Sequence, residues 1–391
     1  MAAVSLGIEQ LIQSPPPYLD SRRIGLLCNA ASVDSRLVHS RKALAGMLGS
    51  SLTCLFAPQH GLFAEKQDNM IESGHRLDPL LNIPVFSLYS NTRIPTEEMF
   101  ADIDVLLIDL QDVGTRVYTF VYTMSHCMEA AHRHNKKVVV LDRPNPVGGL
   151  LVEGNLLTPE YRSFVGRYPL PMRHGLTIGE LARMFNQEFG IGCDLDVIPM
   201  QGWHRSMLFQ DTGLPWVAPS PNLPTPVSAL VYPGQVLWEG TNVSEGRGTT
   251  QPFELFGAPF IDPDRILEAL NAEATAGAFL RPMEFEPTAN KWRAAVCRGF
   301  QIHVLDAQAY RPYRTSLELV QAVLRCHSDE FSWKPPPYEY EYERLPMDLI
   351  LGDNRIREQL QAMTPVADLE RSWQEGLRDF ENRRKACILY Q

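Results

Sequence analysis

Two glutamates in a loop of small residues are the first place where this sequence of 391 residues could do chemistry. Glu239 and Glu245 lie in Glu239-Gly240-Thr241-Asn242-Val243-Ser244-Glu245-Gly246-Arg247-Gly248-Thr249-Thr250, where the backbone can approach a ligand closely, and Arg247 stands beside them. Breaking a glycosidic bond needs one carboxyl as proton donor and a second as base or nucleophile, in surroundings that push their pKa values apart. A second polar burst, Asp109, Gln111, Asp112, Thr115, Arg116 and Tyr118, follows the apolar run Val105-Leu106-Leu107-Ile108, and Glu65 adds a carboxyl earlier in the chain. The competing reading of Asp109, Asp112 and Arg116 is a buried ion-pair network with no part in chemistry.

Those residues need a scaffold, and the hydrophobic pattern supplies one. Short apolar runs at 23–28, 52–56, 84–88, 103–109, 137–141 and 194–200 predict strands, and helical spacing predicts helices over 7–13, 36–48 and 120–134. Strands alternating with helices imply right-handed crossovers and a parallel, doubly wound sheet. Ligands bind such sheets outside the carboxyl ends of the strands. Asn29, Gln59-His60, Tyr89, Asp109 to Arg116, and Asp142-Arg143 with Asn145 would all converge there.

Further on, Thr177 and Glu180 have the spacing of a capping box, which accounts for both without chemistry. Trp203 either covers the site or packs. Five prolines in 215–226 form a stiff connector. We therefore expect an α/β protein with a Rossmann-like parallel-sheet domain over residues 1–228. A smaller C-terminal α/β domain over residues 229–391 would close a cleft in which carboxyls from the two sides face one another. Residues 335–342, rich in Pro and Tyr, read as a surface loop.

Several classes are excluded. With 45% hydrophobic and 21% charged residues the chain is an ordinary folded protein, and a formal charge of −10 argues against nucleic-acid or anionic-membrane partners bound by bulk electrostatics. The seven cysteines form no CxxC pair, so neither a disulfide framework nor a zinc site is expected. The opening stretch lacks a basic region followed by an apolar run, and no segment approaches about 18 apolar residues. A soluble cytoplasmic protein is the expectation. The first strand runs into Asn29-Ala30-Ala31-Ser32 rather than G-x-G-x-x-G, and no Walker motif occurs, so no nucleotide cofactor is expected. His132 and His134 are two apart on a predicted helix and point away from each other, no HExxH occurs, and no metal is expected.

Several long motifs, in order, resemble one family. They are Leu55-Phe56-Ala57-Pro58-Gln59-His60-Gly61, Asp109-Leu110-Gln111-Asp112-Val113-Gly114-Thr115-Arg116 with Tyr118, Asp142-Arg143-Pro144-Asn145-Pro146, Phe164-Val165-Gly166-Arg167, Arg173-His174-Gly175 with Thr177, Pro219-Ser220-Pro221-Asn222, and the Glu239 to Thr249 loop with Pro252-Phe253-Glu254. Over roughly residues 20–355 the chain resembles the NamZ-type exo-β-N-acetylmuramidases, glycoside hydrolase family 171. The resemblance implies hydrolytic release of N-acetylmuramic acid from the non-reducing end of peptidoglycan fragments, as in cell-wall recycling, with the site between the domains.

On that reading Glu239 and Glu245 are the leading carboxylates, assisted by Asp109 and Asp112. Asn29, Gln59, His60, Tyr118, Asn145 and His174 would contact the sugar, and Arg116, Arg143 or Arg247 would clamp its lactyl carboxylate. Replacing Glu245 by Gln should keep the fold and lower turnover by orders of magnitude. One position departs: many members read P-E-H-G where this chain has Pro58-Gln59-His60-Gly61. An amide cannot serve as acid or carboxylate base, so the role would pass elsewhere, with Glu65 the nearest candidate. The alternative is a relative that binds a muropeptide without cleaving it.

Overall fold

Unbroken apolar runs become the strands of a seven-stranded sheet in the computed structural model, which describes residues 4–68 and 70–391. The strands are β1 (Ile24–Cys28), β2 (Leu52–Ala57), β3 (Arg76–Leu77), β4 (Pro84–Ser87), β5 (Val105–Asp109), β6 (Lys137–Leu141) and β7 (Leu195–Ile198). Their order is β3-β4-β2-β1-β5-β6-β7, parallel except for the short edge strand β3. The sequence therefore reverses direction across the sheet between β1 and β5, the two strands buried along their whole length.

Alternate residues feed opposite faces, as the two-residue strand period requires. Leu26, Cys28, Val105, Leu107 and Leu141 pack beneath the helix Gly7–Gln13 and the C-terminal Tyr390. Leu27, Leu106, Ile108, Val138 and Val140 face the helix Phe120–Arg133. That second core continues without a break into the C-terminal half, through Trp238, Phe256, Phe300 and Tyr313.

The C-terminal half carries a small antiparallel sheet of β8 (Leu255–Ala258), β9 (Ala278–Phe285) and β10 (Cys297–Val304), in the order β8-β10-β9. Its helices Pro226–Gln235 and Pro312–Cys326 cross so tightly that a Cβ at Gly234 would lie 1.9 Å from the Pro312 carbonyl oxygen. Strands β8 and β9 escape the sequence pattern because one is four residues long and the other exposes one face and carries Pro282.

Arg116 joins the halves. Its fully buried guanidinium donates to the carbonyls of Asn155 (2.7 Å), Leu170 (3.0 Å), Ile350 (2.9 Å) and Leu351 (2.7 Å). With both terminal nitrogens bonded to backbone carbonyls and its side chain fully buried, Arg116 is a tie within the protein rather than a clamp on a ligand. Trp203 is buried with its ring edge-on to Tyr390 and so packs rather than covering a site. The capping box at Thr177 and Glu180 forms as its spacing implies, starting the helix Ile178–Gln187.

Candidate active site

The switch point between β1 and β5 is roofed over. Asn29, at the end of β1, donates through Nδ2 to the Pro219 carbonyl at 2.7 Å, so the proline-rich connector lies across the strand ends. Beneath it Asp109 pairs with Arg143 through Nε (2.5 Å) and Nη2 (2.9 Å) and accepts from the Ser40 hydroxyl. Only about 20 Å³ of space remains beside Arg143.

The open cleft lies to one side, where the turn after β2 meets the C-terminal half. It is a cavity of about 720 Å³ bordered by Glu239, Glu245, Arg247, Lys291, Trp292 and Lys334. A chamber of about 40 Å³ adjoins it, lined by Gln59, His60, Tyr118 and Ser220. Glu239, Arg247, Tyr338 and Glu339 border both spaces.

Local geometry explains how the small-residue loop presents its acids. A single turn of tight helix over Val236–Gly240 ends where the Thr241 hydroxyl donates back to the Trp238 carbonyl at 3.0 Å and accepts from Val243 N at 3.0 Å. Gly246 then adopts φ +78°, and a Cβ there would lie 2.7 Å from the Leu255 carbonyl oxygen. The reversal turns Arg247 back onto both acids. Its Nη2 lies 2.6 Å from Glu239 Oε1 and its Nε 3.2 Å from Glu245 Oε1.

Lys291 reaches Glu245 Oε2 at 2.8 Å and donates to the carbonyls of Trp238 (2.7 Å) and Val243 (3.0 Å). Burial by itself would raise the pKa of Glu245, but Lys291 and Arg247 outweigh it and hold the carboxyl below the ordinary glutamate range. Burial likewise works against the charge on Arg247, and the two glutamates more than restore it.

Glu339 lives in the opposite environment. Its Oε2 accepts from the Tyr89 hydroxyl at 2.6 Å and its Oε1 from Gln59 Nε2 at 3.0 Å. Thr119 donates its hydroxyl to Gln59 Oε1 at 2.7 Å, which turns the amide nitrogen toward Glu339. Burial dominates over both hydrogen bonds and raises the pKa of Glu339, with the charge of Glu239 acting in the same direction. Tyr338 donates to Glu239 Oε2 at 2.7 Å, so consecutive residues hold the two acids in one place. The cleft thus combines a carboxyl biased toward its protonated form with carboxylates held by cations, the division of labour that acid-assisted bond cleavage requires.

His60 closes the chamber in a left-handed conformation (φ +70°), uncommon for a residue with a side chain. Its Nδ1 lies 2.7 Å from the Lys66 carbonyl, and burial pulls its pKa down to about 4, so the ring is neutral at neutral pH. The carbonyl can only accept, which puts the ring proton on Nδ1 and leaves Nε2 as an acceptor.

Comparison with known proteins covers both halves of the chain. Residues 24–227 match the family model described as "Exo-beta-N-acetylmuramidase NamZ, N-terminal", and residues 230–390 match its C-terminal counterpart. The chain is 42% identical over 387 residues to the peptidoglycan β-N-acetylmuramidase NamZ of Bacillus subtilis (strain 168), covering 99% of this chain and 91% of the relative. The chain belongs to the NamZ exo-β-N-acetylmuramidase family. It is therefore a glycosidase.

Two crystal structures of DUF1343-family proteins from Bacteroides fragilis NCTC 9343 share the NamZ-family fold seen here. One superposes with TM-score 0.88 at 33% identity and covers 100% of both chains; the other gives 0.79 at 27% identity, covering 100% of this chain and 99% of that one.

The structure divides the residues put forward from the sequence. Glu239, Glu245, Arg247, Gln59, His60 and Tyr118 border the NamZ-family cleft or its chamber. Asp109 and Arg143 form the buried pair under the connector. Asp112 accepts from Gly114 N at 2.8 Å and lies 3.3 Å from His174 Nε2, both residues being buried behind the chamber wall. Asn145 donates to the Leu176 carbonyl at 2.9 Å and accepts from Val147 N at 3.1 Å. The readings of Asp109 and Asp112 as assisting catalytic carboxylates, and of Asn29, Arg116, Arg143, Asn145 and His174 as sugar contacts, are corrected: none of the seven borders the cleft or its chamber. Each side chain bonds to protein groups, with Asp112 Oδ1, Arg116 Nε and His174 Nε2 left buried without a hydrogen-bond partner among the described residues.

Glu65 is corrected too. It faces outward, pairing with Arg76 at 3.4 Å and accepting from Phe63 N at 3.0 Å, so it does not stand in for the missing acid.

The sequence reading missed Lys291, Trp292, Lys334, Tyr338 and Glu339. The last two belong to the segment taken for a surface loop, yet both are buried. The signal that could have exposed them is Tyr338-Glu339-Tyr340-Glu341, an acid between aromatics directly after three prolines.

Proposed function

We propose that this glycosidase releases terminal N-acetylmuramic acid from the non-reducing end of peptidoglycan-derived fragments, with two carboxyls and no metal. Glu339, protonated, gives its proton to the glycosidic oxygen as the bond from that oxygen to the anomeric carbon breaks. Glu239, ionised against Arg247, either takes a proton from the attacking water or attacks the anomeric carbon itself. Glu245 keeps Arg247 and Lys291 in place beside it.

One observation carries this reading: Glu339, its pKa raised by burial, borders the same cleft as the Arg247-held Glu239. Family membership and the activity in the Bacillus relative's name support the substrate. The seven cysteines are unpaired, which suits a reducing compartment and the recycling of internalised wall fragments. We also keep a division of the chain at residues 228 and 229, supported by the two family matches meeting there.

Two variants test the roles. Release of N-acetylmuramic acid is measured from a disaccharide with an N-acetylglucosamine leaving group and from a nitrophenyl glycoside. Glu339→Gln should lose about 10²- to 10⁴-fold on the disaccharide, the range for general acid catalysis, and far less on the nitrophenyl glycoside, whose leaving group departs without a proton. Glu239→Gln should lose activity on both. Wild-type disaccharide turnover by Glu339→Gln would remove it as the acid.

A further inference from the structure

Most of the positive charge in the cleft is committed. Arg247 is shared by Glu239 and Glu245, and Lys291 is consumed by Glu245 and two carbonyls. Arg116 and Arg143, from which a clamp on an anionic sugar was expected, are buried against protein groups away from the cleft. Lys334 differs. It borders the cavity, and among the described residues no carboxylate pairs with its ammonium.

The position of Lys334 is set by the catalytic turn itself. Its backbone N–H donates to the Gly240 carbonyl at 2.9 Å, one residue beyond Glu239. Its Nζ lies 5.8 Å from the centre of the Tyr338 ring, and the Tyr338 hydroxyl is the group that holds Glu239. The backbone of Lys334 is thus tied to the turn that carries Glu239, and its ammonium lies beside the tyrosine that holds that acid. An unpaired cation bordering the cavity there suits an anionic substituent on the ring being cleaved.

We propose that Lys334 is the specificity-determining residue that reads the carboxylate of the lactyl ether, the group distinguishing N-acetylmuramic acid from N-acetylglucosamine. The assignment rests on the proposed function, because it presumes an amino sugar in this cleft. A compact ammonium on a flexible stem suits a single charge without requiring the planar fork of an arginine. The lysine then supplies discrimination between sugars, and the carboxyls supply the chemistry.

The test uses the intact protein and two readouts. The first is kcat/KM on nitrophenyl glycosides of N-acetylmuramic acid and of N-acetylglucosamine. Lys334→Met should lower the ratio of the muramic to the neutral value about 10- to 100-fold, as for loss of one charge-assisted contact, while Lys334→Arg keeps much of the preference. The second readout needs no turnover: calorimetric affinity for free N-acetylmuramic acid against its neutral lactyl amide, where the wild-type preference should vanish in Lys334→Met.

If Lys334→Met preserves both preferences, the lysine is not the reader, and the hydrolase reading stands. If the wild-type protein neither cleaves nor binds either sugar, the functional reading itself fails, and this assignment with it. Lys334→Gln, closer to lysine in polarity, replaces Lys334→Met should the latter fail to fold, and the same two outcomes apply.

Discussion

The amide of Gln59 donates to the carboxyl of Glu339 at 3.0 Å, across the boundary between the Rossmann-like sheet and the C-terminal half. The position where the family resemblance leads one to expect a glutamate therefore touches a glutamate in this chain. The carboxyl absent from Pro58-Gln59-His60-Gly61 has a counterpart within hydrogen-bonding distance, 280 residues later in the sequence.

Restoring a carboxyl at that position should be visible in the pH dependence. In Gln59→Glu two acids would share the site, and a like charge in contact disfavours ionisation. With Glu339 as the proposed acid, whose pKa burial raises, the alkaline limb of the pH–rate profile is expected to report its loss of a proton. In the variant that limb should move to higher pH. A limb that stays in place would mean another group sets it.

Glu245 should be worth stability as well as activity. Its folded-state pKa is depressed by Lys291 and Arg247, so its contribution is present above the unfolded glutamate value of about 4.3 and is lost as pH falls through the lower folded value. Glu245→Gln should therefore melt earlier than wild type at neutral pH, with the gap closing in acid. This revises the expectation that the substitution leaves the fold intact, since two buried cations would lose a partner. Coincident melting curves at neutral pH would contradict the ion-pair account.

Arg116→Ala should act on folding and not on sugar recognition. It would strip a donor from four buried carbonyls, of which Leu170 and Leu351 keep another and Asn155 and Ile350 lose the one Arg116 supplies; at about 1–3 kcal/mol for each group left unsatisfied, a loss of at least about 2 kcal/mol in denaturant unfolding is expected. Arg116→Lys should recover little of it, because an ammonium cannot span four carbonyls fixed by a planar fork. A stable Arg116→Ala protein with weakened sugar affinity would return Arg116 to the site.

Much of the scaffold was legible because it rests on local pattern. The runs Ile24–Cys28 and Val105–Asp109 are apolar throughout, as strands covered on both faces must be, and Lys137–Leu141 and the capped helix at Thr177 follow from composition within a few residues. The acidic loop was legible for a similar reason: its run of Gly, Ser and Thr around two glutamates and an arginine is a local pattern, and Gly246 permits the left-handed turn the fold uses.

The sequence by itself determined most strands and helices of the parallel sheet and the presence of Glu239, Glu245 and Arg247 in one loop of small residues. Only the tertiary structure decided which polar strand ends meet a ligand. Asn29, Asp109 and Arg143 end their strands as invitingly as Gln59 does, but the connector at Pro219 covers them and leaves the β2 end open. Glu339 enters the site through contacts between segments hundreds of residues apart, and its raised pKa is created by burial in that packing. A side chain's type travels with the sequence, whereas its solvent exposure and charged neighbours exist only once the chain has folded.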